Sequence, residues 1–167
     1  MPRKLWVDKT FAFELPVNAY EEFLRTLAAA PDRVAGFVEG LDDAFLKNRP
    51  EGRWSIQENV GHLMTLEGLF VGRLDDYDAG SAELRAADMT NAATDRASHN
   101  DASIGELVEG FRRVRGDYLS RLIDKPQEYF SKVAWHPRLE KPMRVVDQLE
   151  FHVAHDAHHL ERIEELL

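Results

Sequence analysis

The chain has 167 residues, 44% of them hydrophobic and 31% charged, which suits one globular domain around a single core. It sets 21 Lys and Arg against 30 Asp and Glu, a net charge of −9 that argues against nucleic acid as a partner, and its lack of cysteine excludes disulfides and thiolate metal ligands. No stretch approaches the roughly 18 consecutive apolar residues of a membrane span, and "MPRKLWVDKTFAFELP" has no continuous apolar run of a secretory signal, so a cytoplasmic protein that stays off membranes is expected.

"TFAFELP" alternates like a strand but stands too isolated to need a sheet. The first helical segment opens near Asn18, where Asn18 and Glu21 have capping-box spacing, and continues through Phe23, Leu24 and Leu27. Pro31 sits where it would kink that helix or open another, carrying Val34, Phe37, Val38 and Leu41. A short turn at "NRPEGR" leads to the second segment, opened by Ser55 as N-cap with Glu58 three residues on, and striped by Ile56, Val60, Leu63, Phe70 and Leu74 as far as Gly80. Residues 80–102 form a long link with room for short helices. Ser103 and Glu106 make a further capping box, opening a third segment with Ile104, Leu107, Val108, Phe111, Tyr118 and Leu122 on one face. The second long link, 124–143, holds three prolines and some alternation, so irregular loop or a small ribbon is expected. The fourth segment runs from about Arg144 to the end, with Val145, Leu149, Val153, Leu160, Ile163 and Leu167 on one side. Together these predict an all-α chain, a four-helix bundle with long crossover connections, in one domain over 1–167.

"FHVAHDAHHLERI", residues 151–163, packs four of the seven histidines into eight positions. At about 100° per residue, His152 and His159 fall within the apolar stripe, His155 lies at its edge and His158 faces solvent. His155 and His159 are spaced i,i+4, so their rings can share one metal ion. Inward histidines without a metal would need several buried hydrogen-bond partners. A third ligand must come from another helix, and His62, two turns into the second segment, is the best candidate. Glu67 falls in the middle of an apolar stripe, where a carboxylate is costly unless paired; it is a candidate fourth ligand, catalytic base or buried partner for an arginine. Asp156 makes an H-D-x-x-H run with His155 and His159, and is a candidate for proton transfer or for orienting a ligand ring. His99 and His136 lie in the links; His136, between Trp135 and Pro137, could line a cavity mouth.

"RPEGRWSIQENVGHLMTLEGLF" followed by "MRVVDQLEFHVAHDAHHLERI" resembles the DinB-like (DinB/YfiT) superfamily of bacterial metal-binding four-helix bundles, from about Phe11 onward. The specific part is W-S-x-x-E-x-x-x-H-L joined to a C-terminal H-x-x-x-H helix. The resemblance implies a divalent metal on His62, His155 and His159, with His152 and His158 additional to the pattern. It also implies enzymes that use low-molecular-weight bacterial thiols, including S-transferases and a thiol-dependent maleylpyruvate isomerase, and members that pair as homodimers.

Three imidazoles leave an ion with an open position, as in catalytic sites, and zinc or nickel, with iron as a further choice, suits such ligands. The expected function is therefore metal-dependent activation of a thiol or of water against a small electrophile, a transferase or hydrolase, with Glu67 or Asp156 assisting. The alternative is a non-catalytic, metal-binding stress-response bundle, favoured if His152 or Glu67 closes the ligand sphere. A ferritin-like dinuclear oxidase needs two Glu-x-x-His motifs, which the chain lacks, and an H-D-x-x-H peptidase lacks its further ligand motif.

Overall fold

The computed structural model describes residues 5–167. Four long helices dominate: α1 (Tyr20–Val38), α3 (Ile56–Asp78), α5 (Ile104–Ser120) and α6 (Val145–Glu164). Two one-turn helices, α2 (Asp43–Lys47) and α4 (Ala92–Arg96), lie in the connections, and a hairpin of β1 (Val133–His136) and β2 (Lys141–Arg144) precedes α6. Helices α1 and α3 each pack chiefly on α5 and α6. Both the α1-to-α3 and the α5-to-α6 connections therefore cross the bundle diagonally, which is why each needs a long link.

The capping boxes at Ser55/Glu58 and Ser103/Glu106 both form, each serine accepting from the N3 amide while the glutamate accepts from the cap amide. After α3, Gly80 takes a left-handed conformation (φ +66°) that ends the helix. The box expected at Asn18 does not form. The chain enters α1 through a 3-10 turn, Val17–Ala19, so the cap position is Ala19 in helical geometry and no side chain caps the helix. A cap residue must be extended for its side chain to reach back.

Pro31 neither ends α1 nor opens a new helix; it lies buried inside one continuous helix. Proline has no N–H, so the Leu27 carbonyl four residues back loses its helical donor. That carbonyl accepts from Arg115 Nη1 of α5 at 2.8 Å instead. The helix stops at Val38, short of Leu41, and residues 39–55 including α2 replace the short turn expected at "NRPEGR". Leu167 lies beyond the end of α6 and is half exposed, so the apolar stripe ends at Ile163. "TFAFELP" makes no strand; it runs along the bundle, tied by Arg144 Nη2 to the carbonyls of Phe13 (3.2 Å) and Leu15 (2.8 Å).

The 124–143 link does form a ribbon. β1 and β2 pair antiparallel with His136 opposite Lys141, and alternation turns Ala134 and His136 inward. The 80–102 link carries α4 and a 3-10 turn at His99–Asp101, and it is bonded to the start of α3. Gln57 Nε2 donates to the carbonyls of His99 and Ala102 (both 2.7 Å), Ser55 Oγ to Asn100 Oδ1 (2.8 Å) and Trp54 Nε1 to Asp95 Oδ1 (3.2 Å). His99 is buried against Gly61, where any Cβ would collide with its ring.

Apolar side chains form two clusters along the bundle, one around Phe70, Leu74, Tyr118 and Leu149, the other around Val34, Val60, Phe111 and Ile163. Between them runs a polar layer to which every long helix contributes. Arg115 of α5 donates to Glu67 Oε2 of α3 (2.8 Å), to both Asp156 oxygens of α6 (2.7 and 3.1 Å) and to the Leu27 carbonyl of α1. His152 Nε2 stands 2.8 Å from Glu67 Oε1, its ring stacked on Phe70 at 3.6 Å between centroids. Burial would raise the Glu67 carboxyl, but His152 and Arg115 outweigh it and hold it below the usual range.

Candidate metal centre

Beside this layer, His62 of α3 meets His155 and His159 of α6. All three are buried, and one ring nitrogen from each lies within 4.8 Å of the other two. His62 and His155 face each other Nε2 to Nε2 at 3.3 Å. Two nitrogens at ~2.0–2.1 Å from one zinc in tetrahedral arrangement stand ~3.3 Å apart.

Hydrogen bonds on the far side orient two of the rings. Asn59 Nδ2 donates to the Ser55 carbonyl (2.8 Å), so its Oδ1 is an acceptor, and His159 Nδ1 lies 2.9 Å from it. His159 therefore carries its proton on Nδ1 and leaves Nε2 bare, the tautomer a metal requires. His62 Nδ1 is 2.9 Å from Thr94 Oγ1, supplied by α4. Burial lowers the His62 imidazole to about 4, with the neighbouring His99 and His158 rings adding to the effect. Burial likewise holds His155 and His159 well below the ordinary range, with the surrounding histidines adding to it. At neutral pH the rings are neutral, as ligation demands. The donor set thus fits a divalent ion of borderline softness.

Two tryptophans flank the cluster. Trp54 lies 4.8 Å from His62 between ring centroids, and Trp6 meets His155 edge-on at 5.2 Å. Trp6 also packs at 5.7 Å against His158, which is half-buried and lines the cavity rather than facing open solvent as its helical position suggested. The short 3-10 turn Trp6–Asp8 causes this by covering that side of α6.

The triad opens on a cavity of about 830 Å³, lined largely by apolar side chains including Leu66, Leu69, Phe151 and the two tryptophans. His136 lines it too, as its place in the link suggested. Glu67, Asp156 and His152 do not line it; the polar layer holds them together around Arg115, with Glu67 a buried partner of that arginine. Asp156 likewise pairs with Arg115 rather than facing the cavity. Asn59, Thr94 and Arg115 were not singled out from the sequence. Arg115 had a readable signal, since it sits between Phe111 and Tyr118 on the apolar face of α5.

A four-helix bundle with three histidines gathered beside an internal cavity defines a class, and the comparisons give it a family. The family model of the DinB superfamily matches residues 26–163. The chain belongs to that superfamily. Among solved structures it is similar to YfiT from Bacillus subtilis, described as "a probable metal-dependent hydrolase with an unusual four-helix bundle topology". The two share 18% identity over 95% of this chain and 91% of that one, with a TM-score of 0.81, a likeness of fold. No curated protein matches the chain.

Proposed function

We propose that the chain is a metal-dependent enzyme in which Nε2 of His62, His155 and His159 holds a divalent ion, zinc or nickel, beside a bound small electrophile. The observation that carries this reading is the convergence of three neutral imidazoles on the wall of an apolar cavity large enough for an organic molecule. When bound, the ion supplies Lewis acidity that makes a thiol or a water nucleophilic at neutral pH. The hydrolase description of YfiT favours water, whereas the thiol-using enzymes that the sequence resemblance implies favour a thiol cosubstrate. The rest falls to side chains. Asn59 and Thr94 fix ring orientation, Trp6 and Trp54 limit water around the rings, and the polar layer holds α3 in register with α6. The non-catalytic alternative expected His152 or Glu67 to close the ligand sphere; their engagement elsewhere supports an accessible centre. No described helix is long and apolar enough to cross a membrane.

Cobalt substitution tests the reading. Cobalt-loaded protein titrated with N-acetylcysteine is expected to gain a sulfur-to-cobalt charge-transfer band in the near ultraviolet. Absence of that band, with metal-dependent ester hydrolysis retained, assigns the centre to water activation. Absence of any protein-bound cobalt spectrum overturns the metal reading itself.

Thr94→Val removes the hydroxyl beside His62 at nearly constant volume. Metal affinity, measured by competition with a chromophoric chelator, is expected to fall about 10–100-fold, the usual cost of losing a partner that orients a ligand. Unchanged affinity would show that the hydroxyl does not set the ring.

A further inference from the structure

Four arginines but a single carboxylate, Asp88, line the cavity of this acidic chain. Two of the four are answered locally, Arg53 by Glu51 and Arg162 by Glu161 and Glu165. Arg73 and Arg138 have no ion-pair partner among the described residues. Arg73 is 1% exposed; its Nε donates to the Arg85 carbonyl at 3.2 Å and its Nη1 has no partner. The nearby Asp76 carboxylate is taken up by Arg85 at 2.9 Å. A buried guanidinium with an idle donor is costly to keep without a function.

His136 adds a third donor. The Leu139 amide donates to its Nδ1 at 3.1 Å, which places the neutral ring's proton on Nε2, and Nε2 is buried without a partner. Burial, with Arg73 and Arg138 close by, pushes this imidazole down to about 4, so it is neutral at working pH. The three groups surround one ring: the guanidinium carbons of Arg73 and Arg138 stand 6.0 and 5.8 Å from the Phe151 centroid, and the His136 ring 5.6 Å. Phe151 lies one helical turn before His155.

We propose that Arg73, Arg138 and His136 form an anion subsite that takes the carboxylate of a small organic acid, whose apolar body lies along Phe151, Leu66 and Leu69 towards the three histidines. A planar carboxylate accepts from paired guanidinium and ring N–H donors at once. As a statement about substrate it rests on the reading that the triad acts on what the cavity holds; as a binding site it stands without a metal.

Calorimetry on metal-free and zinc-loaded protein, with hexanoate and its neutral amide hexanamide as probes, tests this. Hexanoate is expected to bind metal-free protein roughly tenfold or more tighter than hexanamide, the worth of one charge-assisted hydrogen bond. Arg73→Gln is expected to remove about that factor and Arg138→Gln a smaller one, while Arg112→Gln on the outer surface leaves binding unchanged. Should Arg73→Gln fail to fold, the probe pair on wild type and the Arg138→Gln variant still decide. Equal affinity for both probes on metal-free protein overturns the subsite, as does discrimination that both glutamine variants retain. Discrimination seen only with zinc also overturns it, because the carboxylate would then be a metal ligand. If zinc fails to bind at the triad and the probes are still distinguished, the metal reading fails and the subsite stands.

Discussion

His155→Ala and His155→Gln proteins are expected to lose stoichiometric metal, with the wild type carrying about one ion per chain by elemental analysis. His155 Nε2 lies 3.3 Å from His62 Nε2, and its ring centroid is 4.6 Å from that of His159. Removing it leaves two nitrogens on different helices. The loss should exceed the ~10–100-fold that follows removal of a supporting hydrogen bond. Glutamine keeps most of the side-chain volume, which separates lost ligation from a collapsed site. His158→Ala is the matched comparison: it lies on the same helix and lines the same cavity but is outside the triad, so its metal content should equal that of the wild type. Full metal content in both His155 variants would end the proposal.

Arg115→Met is expected to cost about 3–5 kcal/mol of stability, read as a lowered urea midpoint, because it strips the cation from two buried carboxylates. It also orphans the Leu27 carbonyl, whose helical donor Pro31 has already removed. Desolvation is what makes one-sided removal so costly: the ions are already out of water, and only their mutual attraction offsets that. Replacing the set together, as Arg115→Met with Glu67→Leu and Asp156→Leu, should recover much of the loss. A cost below ~1 kcal/mol for the single variant, the range of exposed ion pairs, would mean that the layer is hydrated in solution. Since Glu67 follows His62 on α3 and Asp156 adjoins His155 on α6, the single variant should also weaken metal binding by loosening the register between those helices.

What could be read from the chain and what could not divide along sequence separation. Ser55/Glu58 and Ser103/Glu106 declare helix starts within four residues, and both form. Counting turns places His159 within the apolar stripe and His155 at its edge, and two turns into its own helix His62 is the best third candidate, so their meeting needed only the bundle. Asn18 shows the limit of a local pattern: the spacing is present, yet a 3-10 turn places the residue in the wrong backbone conformation to cap. Partners chosen across the fold leave no local trace. Thr94 reaches His62 only because the 80–102 link is bonded to the start of α3, and Arg115 selects Glu67 and Asp156 from two other helices. His158 faced outward by helical arithmetic until a segment some 150 residues earlier covered it.

Leu5, Trp6 and Val7 line the cavity from one end of the chain and Leu166 from the other. A segment attached after Leu167 would thus begin beside a residue that lines the cavity of the three histidines. An oligohistidine purification handle would bring in competing imidazoles that could complete the coordination sphere, raise apparent metal uptake and shut the open position against small molecules. Metal stoichiometry and turnover are therefore best measured on protein from which such a handle has been cleaved.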